Sequence, residues 1–271
     1  MRLAISNIAW DVSEDAAVAQ LLQRYNVDAI DVAPGKYFAD PLRTPSSAVS
    51  KVREYWKGYG IEITGMQALL FGTQGLNVFG DETSQTALLK HLSAVCRIGS
   101  VLGATRLVFG SPKNRDCSGI EKNQIKNIAV NFFGALGNVA QTEGVIICLE
   151  PNPPCYASNF MINSDETAAI VEAVNHPAIR MQLDTGAMKI NDEALNVIDR
   201  YAHLFGHIHA SEPSLVTLGD GGVDHQAIAK RVADKLSKHV VSIEMVASTT
   251  QAHVTAIERA LQVASCYRQS Q

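Results

Sequence analysis

The chain has 271 residues, 46% of them hydrophobic and 18% charged, which supplies one sizeable core and too little charge for a disordered tail protein. A formal net charge of −4 provides no basic field for a nucleic-acid backbone. No apolar run reaches the ~18–20 residues of a membrane span, and the opening MRLAISNIAW lacks signal-peptide anatomy, so a cytoplasmic protein is expected, with no membrane or nucleic-acid partner.

Short apolar runs that read as strands alternate along the chain with longer stretches of helical period. In order, the chain predicts strand 2–7, helix 13–25, strand 28–33, helix 44–58, strand 61–67 and helix 83–102. It continues with strand 105–110, helix 121–143, strand 145–150, helix 164–175, strand 180–184 and helix 191–201. Strand 204–209, helix 225–238, strand 240–245 and helix 249–266 complete the series. Ser13 ahead of Glu14 and Asp15, and Ser164 ahead of Asp165 and Glu166, read as helix starts, where oxygens and carboxylates suit free N–H groups. Eight βα units in a chain near the ~250 residues typical of a closed barrel predict a single (β/α)8 TIM barrel, one domain over 1–271. A doubly wound open sheet is the alternative. It would show a glycine-rich phosphate turn after the first strand, where this chain reads SNIAWDVS.

Five cysteines with no C-x-x-C pair point to reduced thiols in a cytosol. Cys148 and Cys155, near the region of interest, read as small buried hydrophobes.

Barrel enzymes work at the C-terminal ends of their strands. The last four strands finish in Glu150, Asp184, His209 and Glu244, each after a hydrophobic stretch. An ionisable group placed there is costly unless paired or bound to a metal. Three carboxylates and an imidazole form a hard donor set for one divalent ion, Mn2+ first, with Mg2+, Co2+ or Zn2+ as alternatives. Strand alternation puts Cys148, Gln182, His207 and Ser242 on the same inward face as these four, a polar tier that would orient them. His207 reads either as a further site residue or as a hydrogen-bonded core histidine.

Asn7, Trp10, Lys36 and Gln67 follow the first three strands. Asn7 and Gln67 are candidate substrate contacts, as is Trp10, whose ring offers an apolar wall for a ligand or ordinary packing under a loop. Lys36 reads as a solvated loop residue. Asn152, His207 and Glu212 complete the candidate substrate-binding set, and Asp224 reads as a helix cap.

Several segments carry a family resemblance: CLEPNP (148–153), SNFMINSDET (158–167), MQLDTGAM (181–188), GHIHASEP (206–213), LGDGGVDH (218–225) and SIEM (242–245). In this order and spacing the chain resembles the xylose-isomerase-like barrel superfamily. The resemblance is to its sugar isomerase/epimerase branch, which includes tagatose/psicose 3-epimerases, hydroxypyruvate isomerases and inosose dehydratases. It implies that Glu150, Asp184, His209 and Glu244 hold the metal. It also implies that Glu150 and Glu244 are the two catalytic acid/base groups, on opposite faces of a carbohydrate substrate. The chemistry implied is proton transfer through a cis-enediolate, and a homodimer or homotetramer is expected. The epimerases typically carry a His three positions after the Asp ligand and an Arg six after the His ligand. Here these are Ala187 and Leu215, which leaves room for a larger or modified substrate. Two alternatives share the scaffold: a metal-dependent dehydratase of inosose or dehydroshikimate type, and a catalytically inactive sugar-binding barrel. DNA repair, also known on this barrel, fits poorly with a net charge of −4.

Overall fold

The computed structural model describes residues 1–268. Its eight parallel strands are β1 (Arg2–Ser6), β2 (Ala29–Val32), β3 (Glu62–Met66), β4 (Arg106–Phe109), β5 (Ile146–Leu149), β6 (Ile179–Asp184), β7 (Phe205–Ser211) and β8 (Val240–Glu244). Each pairs with the next in sequence, and β8 pairs back to β1 from Arg2–Val240 to Ile5–Ile243, closing the barrel. The helices around it are α1 (Asp15–Arg24), α2 (Ser46–Gly58), α3 (Glu82–Leu102), α4 (Lys122–Thr142), α5 (Ser164–Val174), α6 (Thr185–Ile190), α7 (Asn196–Arg200), α8 (His225–Leu236) and α9 (His253–Ala264). This is the single (β/α)8 barrel that the alternation of elements predicts. Among the described residues no helix is long and apolar enough to cross a membrane.

The helices follow their sequence signals closely. In α3 the buried residues Leu88, Leu92, Val95, Ile98 and Leu102 recur at helical spacing on one face. Asp81 caps its start by accepting from the Ser84 N–H, and Gly103 ends it in the left-handed region at φ +87°. At the two starts expected at serines, other residues carry the cap. Asp11 forms a capping box with Glu14 on the 3-10 turn Val12–Glu14 that leads into α1, and Asn163 rather than Ser164 receives the Glu166 N–H.

One expected helix is replaced. Over 191–201 the chain predicts a single helix, but α6 begins directly at the end of β6 and α7 follows after a turn. The physical reason is Asp184, whose carboxylate accepts from the Ala187 N–H at 2.6 Å and so starts a helix on the last strand residue.

The large apolar side chains pack between strands and helices, leaving a polar barrel interior. Asp31, Cys148, Gln182, His207 and Ser242 are all buried. Two register shifts accommodate them. On β7 the pairing passes from Met181–Phe205 to Gln182–His207, skipping Gly206. On β3 it passes from Ile30–Ile63 to Asp31–Gly65. A Cβ on Gly65 would lie 2.5 Å from Asp31 Oδ1, so glycine is what admits the carboxylate.

Of the two cysteines read as buried hydrophobes, Cys148 is buried, whereas Cys155 is exposed in a 3-10 turn after β5. Burial pushes the thiols of Cys96 and Cys148 up to about 12. A thiol reagent added to native protein is therefore expected to modify Cys155 rapidly and to reach Cys96 and Cys148 only on unfolding. Peptide mapping by mass spectrometry reads this, and equal labelling of Cys148 and Cys155 in folded protein would contradict the buried interior.

Candidate metal centre and active site

Four strand ends converge at the C-terminal mouth of the barrel. Asp184, His209 and Glu244 lie in β6, β7 and β8, and Glu150 is the first residue beyond β5. The pairings Asp184–His209 and Ser211–Glu244 bring neighbouring strand ends to a common level. One possible ligand atom from each of the four lies within 4.8 Å of all the others. His209 Nδ1 is 3.2 Å from Glu150 Oε1, 3.2 Å from Glu244 Oε2 and 4.0 Å from Asp184 Oδ2. All four side chains are buried, with residue exposures of 7%, 6%, 0% and 8% in chain order.

Each carboxylate is held by fixed donors. Asp184 Oδ1 accepts from the Ala187 N–H and its Oδ2 from the Ser211 hydroxyl at 2.8 Å. Glu244 Oε1 accepts from Gln67 Nε2 at 2.7 Å. Glu150 Oε2 accepts from Asn152 Nδ2 at 3.3 Å. Behind it, the fully buried Arg115 donates to the Glu150 carbonyl at 2.8 Å and to Asn152 Oδ1. Burial lowers the Arg115 guanidinium to about 10 against the attraction of Glu150.

The electrostatics are those of a cluster short of positive charge. Burial raises Asp184 well above the ordinary carboxylate range, and the Glu150 and Glu244 charges push the same way. Burial opposes an imidazolium at His209, yet Glu244 and Glu150 outweigh it and hold its pKa well above the ordinary value. Burial likewise works against the Glu244 charge, and His209 overcomes it to keep that carboxyl below its usual range. Glu150 Oε1 is buried and makes no hydrogen bond of good geometry. Three carboxylates, one imidazole and an unsatisfied carboxylate oxygen fit a hard divalent cation.

Beneath this cluster lies a second group that sequence reading located only in part. His207 Nε2 meets Asp31 Oδ2 at 2.6 Å in the barrel interior, and Asp31 was not foreseen. Burial disfavours the Asp31 charge, but His207 holds its pKa below the ordinary value. The Gln182 amide, oriented to satisfy both of its ends, donates to the His207 carbonyl at 3.3 Å and accepts from the His209 N–H at 3.1 Å.

The remaining candidates divide. Gln67, Asn152 and Glu212 line a cavity of about 540 Å³ above the cluster. Glu212, however, serves the glycine loop, accepting from the Gly219 and Val223 N–H groups at 2.8 and 3.0 Å and meeting His225 at 3.1 Å. Asn7 is buried outside that lining and accepts from the Ala33 N–H at 2.7 Å. Trp10 is also outside it, packed edge-on against Trp56 with its N–H given to Asp15 at 2.7 Å. His207 lies below the cavity rather than in its wall. Lys36 is half-buried rather than solvated, its ammonium donating to the Asn7 and Trp10 carbonyls. Asp224 caps α8, as its position predicts.

Arg115 was missed because nothing in its loop sequence distinguishes it from a surface arginine. Gly110 did carry a signal, since a glycine closing a strand marks a close approach. A Cβ there would lie 1.9 Å from Glu150 Oε2. Gly110→Ala is therefore expected to displace Glu150 and, with Glu150 among the ligands of a divalent ion, to weaken uptake of that ion about 10–100-fold, the scale of lost support around a metal site. Titration calorimetry checks this, with circular dichroism to verify folding; unchanged affinity would remove Glu150 from the ligand set.

No curated protein matches the chain in sequence. Among solved structures, the D-psicose 3-epimerase of Clostridium cellulolyticum H10, with D-tagatose, has a TM-score of 0.78 at 17% identity, over 97% of this chain and 96% of that one. The 3-keto-D-glucoside 4-epimerase of E. coli has a TM-score of 0.80 at 15% identity, over 98% and 100%. The IolI protein with a bound zinc atom has 0.76 at 19% identity, over the full length of both chains. At these identities the likeness is one of fold. The sequence itself matches a family along residues 19–265. With its closed eight-stranded barrel and the four acidic and imidazole groups at its mouth, the chain belongs to the xylose isomerase-like TIM barrel family.

Proposed function

We propose that the chain is a divalent-metal-dependent sugar isomerase or epimerase, transferring a proton at the carbon beside the carbonyl of a ketose or a modified ketose. The observation that carries this reading is the buried convergence of Glu150, Asp184, His209 and Glu244 at the end of the barrel where such enzymes hold their substrates. The shared fold with two sugar epimerases supports it. The oxygen-rich donor set favours Mn2+, while the zinc in the IolI protein keeps Zn2+ among the alternatives. The five free cysteines support a reducing, cytoplasmic setting.

These four residues would hold a divalent ion, which when bound would supply a Lewis acid to acidify the C–H between a keto oxygen and its neighbouring hydroxyl. The protein's part is the proton. Glu150 follows β5 and Glu244 ends β8, with β6 and β7 between them on the barrel, so the two would reach a bound substrate from different sides. One carboxylate takes the proton; the C–H electron pair forms the carbon–carbon double bond of an enediolate, and the carbonyl oxygen takes up the charge. In epimerisation the other carboxyl group returns a proton to the opposite face of the same carbon. In isomerisation the proton returns to the adjacent carbon, while the proton of the neighbouring hydroxyl passes to the former carbonyl oxygen, so that the carbonyl moves by one carbon. Exchange with solvent then restores the two glutamates. Gln67 orients Glu244, and Asn152 with Arg115 orients Glu150, so neither base has to be ordered during the reaction.

The test is deuterium uptake in D2O by a panel of ketoses and keto sugars with Mn2+-loaded protein. Exchange at the carbon beside the carbonyl is expected, falling by about 10²–10⁴-fold in Glu150→Gln and in Glu244→Gln. Metal-replete wild type that exchanges no proton across the panel overturns the proposal. A new ultraviolet chromophore with loss of a β-hydroxyl would assign dehydration instead.

A further inference from the structure

The cavity above the cluster, about 540 Å³, falls within the ~300–1,000 Å³ that encloses ligands of drug size. Its floor is charged but its walls are not. Leu69, Leu70 and Phe71 line it from the loop after β3, Ala187 from α6, Leu215 from the loop after β7, and Ile8 from the turn after β1.

Most of the polar side chains that reach this space are already engaged. Gln67 Nε2 is given to Glu244, the Ser111 hydroxyl donates to Asn114 Oδ1 at 2.6 Å, and the Asn152 amide is held between Arg115 and Glu150. The Tyr156 hydroxyl accepts from the Ser214 N–H at 2.7 Å, and both Glu212 oxygens bind loop N–H groups. Gln67 Oε1, buried without a partner, the Tyr156 O–H and the Ser214 hydroxyl remain for a substrate. The several ring hydroxyls of a free ketohexose would leave water here for few replacements, which disfavours binding.

The apolar groups are also presented deliberately. Phe71, one of the lining residues, is 86% exposed, so a ligand in the cavity would cover apolar ring surface now in water. Leu215 sits at φ +52° beside Ser214 at +59°, and Ala68, leading into Leu69, at +51°. Left-handed backbone at a bulky residue such as leucine persists only where the surroundings hold it, and it tends to mark ligand-contacting loops.

We propose that the substrate is a keto sugar carrying an apolar group, that is, a glycoside with an aryl or alkyl aglycone. Its keto–hydroxy pair lies at the four-residue cluster and its aglycone against Leu69, Leu70, Phe71 and Leu215. The placement of the keto end rests on the isomerase/epimerase reading; the apolar subsite stands on the lining alone.

The test compares phenyl 3-keto-β-D-glucoside with unsubstituted 3-keto-D-glucose on the Mn2+-loaded full chain, by titration calorimetry and by deuterium exchange in D2O. The phenyl compound is expected to bind at least about tenfold more tightly, a gap that Leu215→Ser narrows. Phe71→Ser should narrow it too, and the exposure of Phe71 secures folding of that variant. Equal binding, preference for the free sugar, or no binding of either compound overturns the proposal. Preferential binding of the phenyl compound with no exchange from either supports the subsite and removes the isomerase/epimerase reading. Exchange from both at equal kcat/KM keeps that reading and removes the apolar subsite.

Discussion

Three carboxylates and an imidazole are buried within a few ångströms of one another, and the design of the barrel follows from making that tolerable. Like charges in a poorly hydrated site repel, and desolvation penalises each of them separately. Asp184 shows the consequence directly, its pKa raised first by burial and then by Glu150 and Glu244. The protein responds with directed donors: the Ala187 N–H, the Ser211 hydroxyl, the Gln67 amide and the Asn152 amide each take one carboxylate oxygen. Arg115, the buried cation of the neighbourhood, is turned to the backbone carbonyl of Glu150 and to Asn152. It stiffens the loop without forming an ion pair that would compete for the cluster, which leaves the negative charge for a cation from outside.

The interior beneath the mouth obeys the same constraint. Barrels of this type are ordinarily filled with branched apolar residues, yet this one carries Asp31 against His207, with Gln182 bridging His207 and His209. Such a network is stable only if its members are paired and given room. Room comes from glycine: Gly65 admits the Asp31 carboxylate, Gly110 admits Glu150, and Gly206 lies where a Cβ would press on Arg180 and Cys148. The register shifts at Asp31 and Gln182 belong to the same arrangement, since a single extra residue brings an inward-facing group level with its partner.

Much of this was legible in the sequence, for a physical reason. A buried strand in a parallel barrel is a run of apolar residues, so an acidic or histidine residue closing such a run stands out, and Glu150, Asp184, His209 and Glu244 each do. Period-two alternation then places Gln182, His207 and Ser242 inward as well. What escaped was whatever depends on loops. Trp10 follows β1 as a pocket residue would, but its ring turns toward Trp56, because an indole N–H that reaches Asp15 is better satisfied in the core. Arg115 and Phe71 sit in segments whose paths no periodicity encodes. The expected helix over 191–201 failed for a local reason: Asp184 reads as a strand end, and its second role as a helix cap is invisible until the chain turns.

That second role bears on how such a site can change specificity without losing its centre. Ala187 stands where related epimerases are expected to have a histidine, but its part in holding Asp184 here, beside the Ser211 hydroxyl, is played by its backbone N–H, a group every residue other than proline supplies. Leu215 stands where an arginine is expected; its carbonyl accepts from the Val246 N–H, and its own N–H bonds to the Glu212 carbonyl, so the loop path is again fixed by backbone rather than by the side chain. The side chains at both positions are therefore free to vary while the carboxylates stay in place. Polar groups there would suit a hydroxyl-rich substrate, and the alanine and leucine present suit a surface that sheds water. On the proposed reading, the reacting end of the site is built from side chains at the strand ends, held by one backbone N–H and by the Ser211, Gln67 and Asn152 side chains. On the same reading, the end that would distinguish one substrate from another is built from side chains on α6 and on loops, where substitution leaves the four-residue cluster standing.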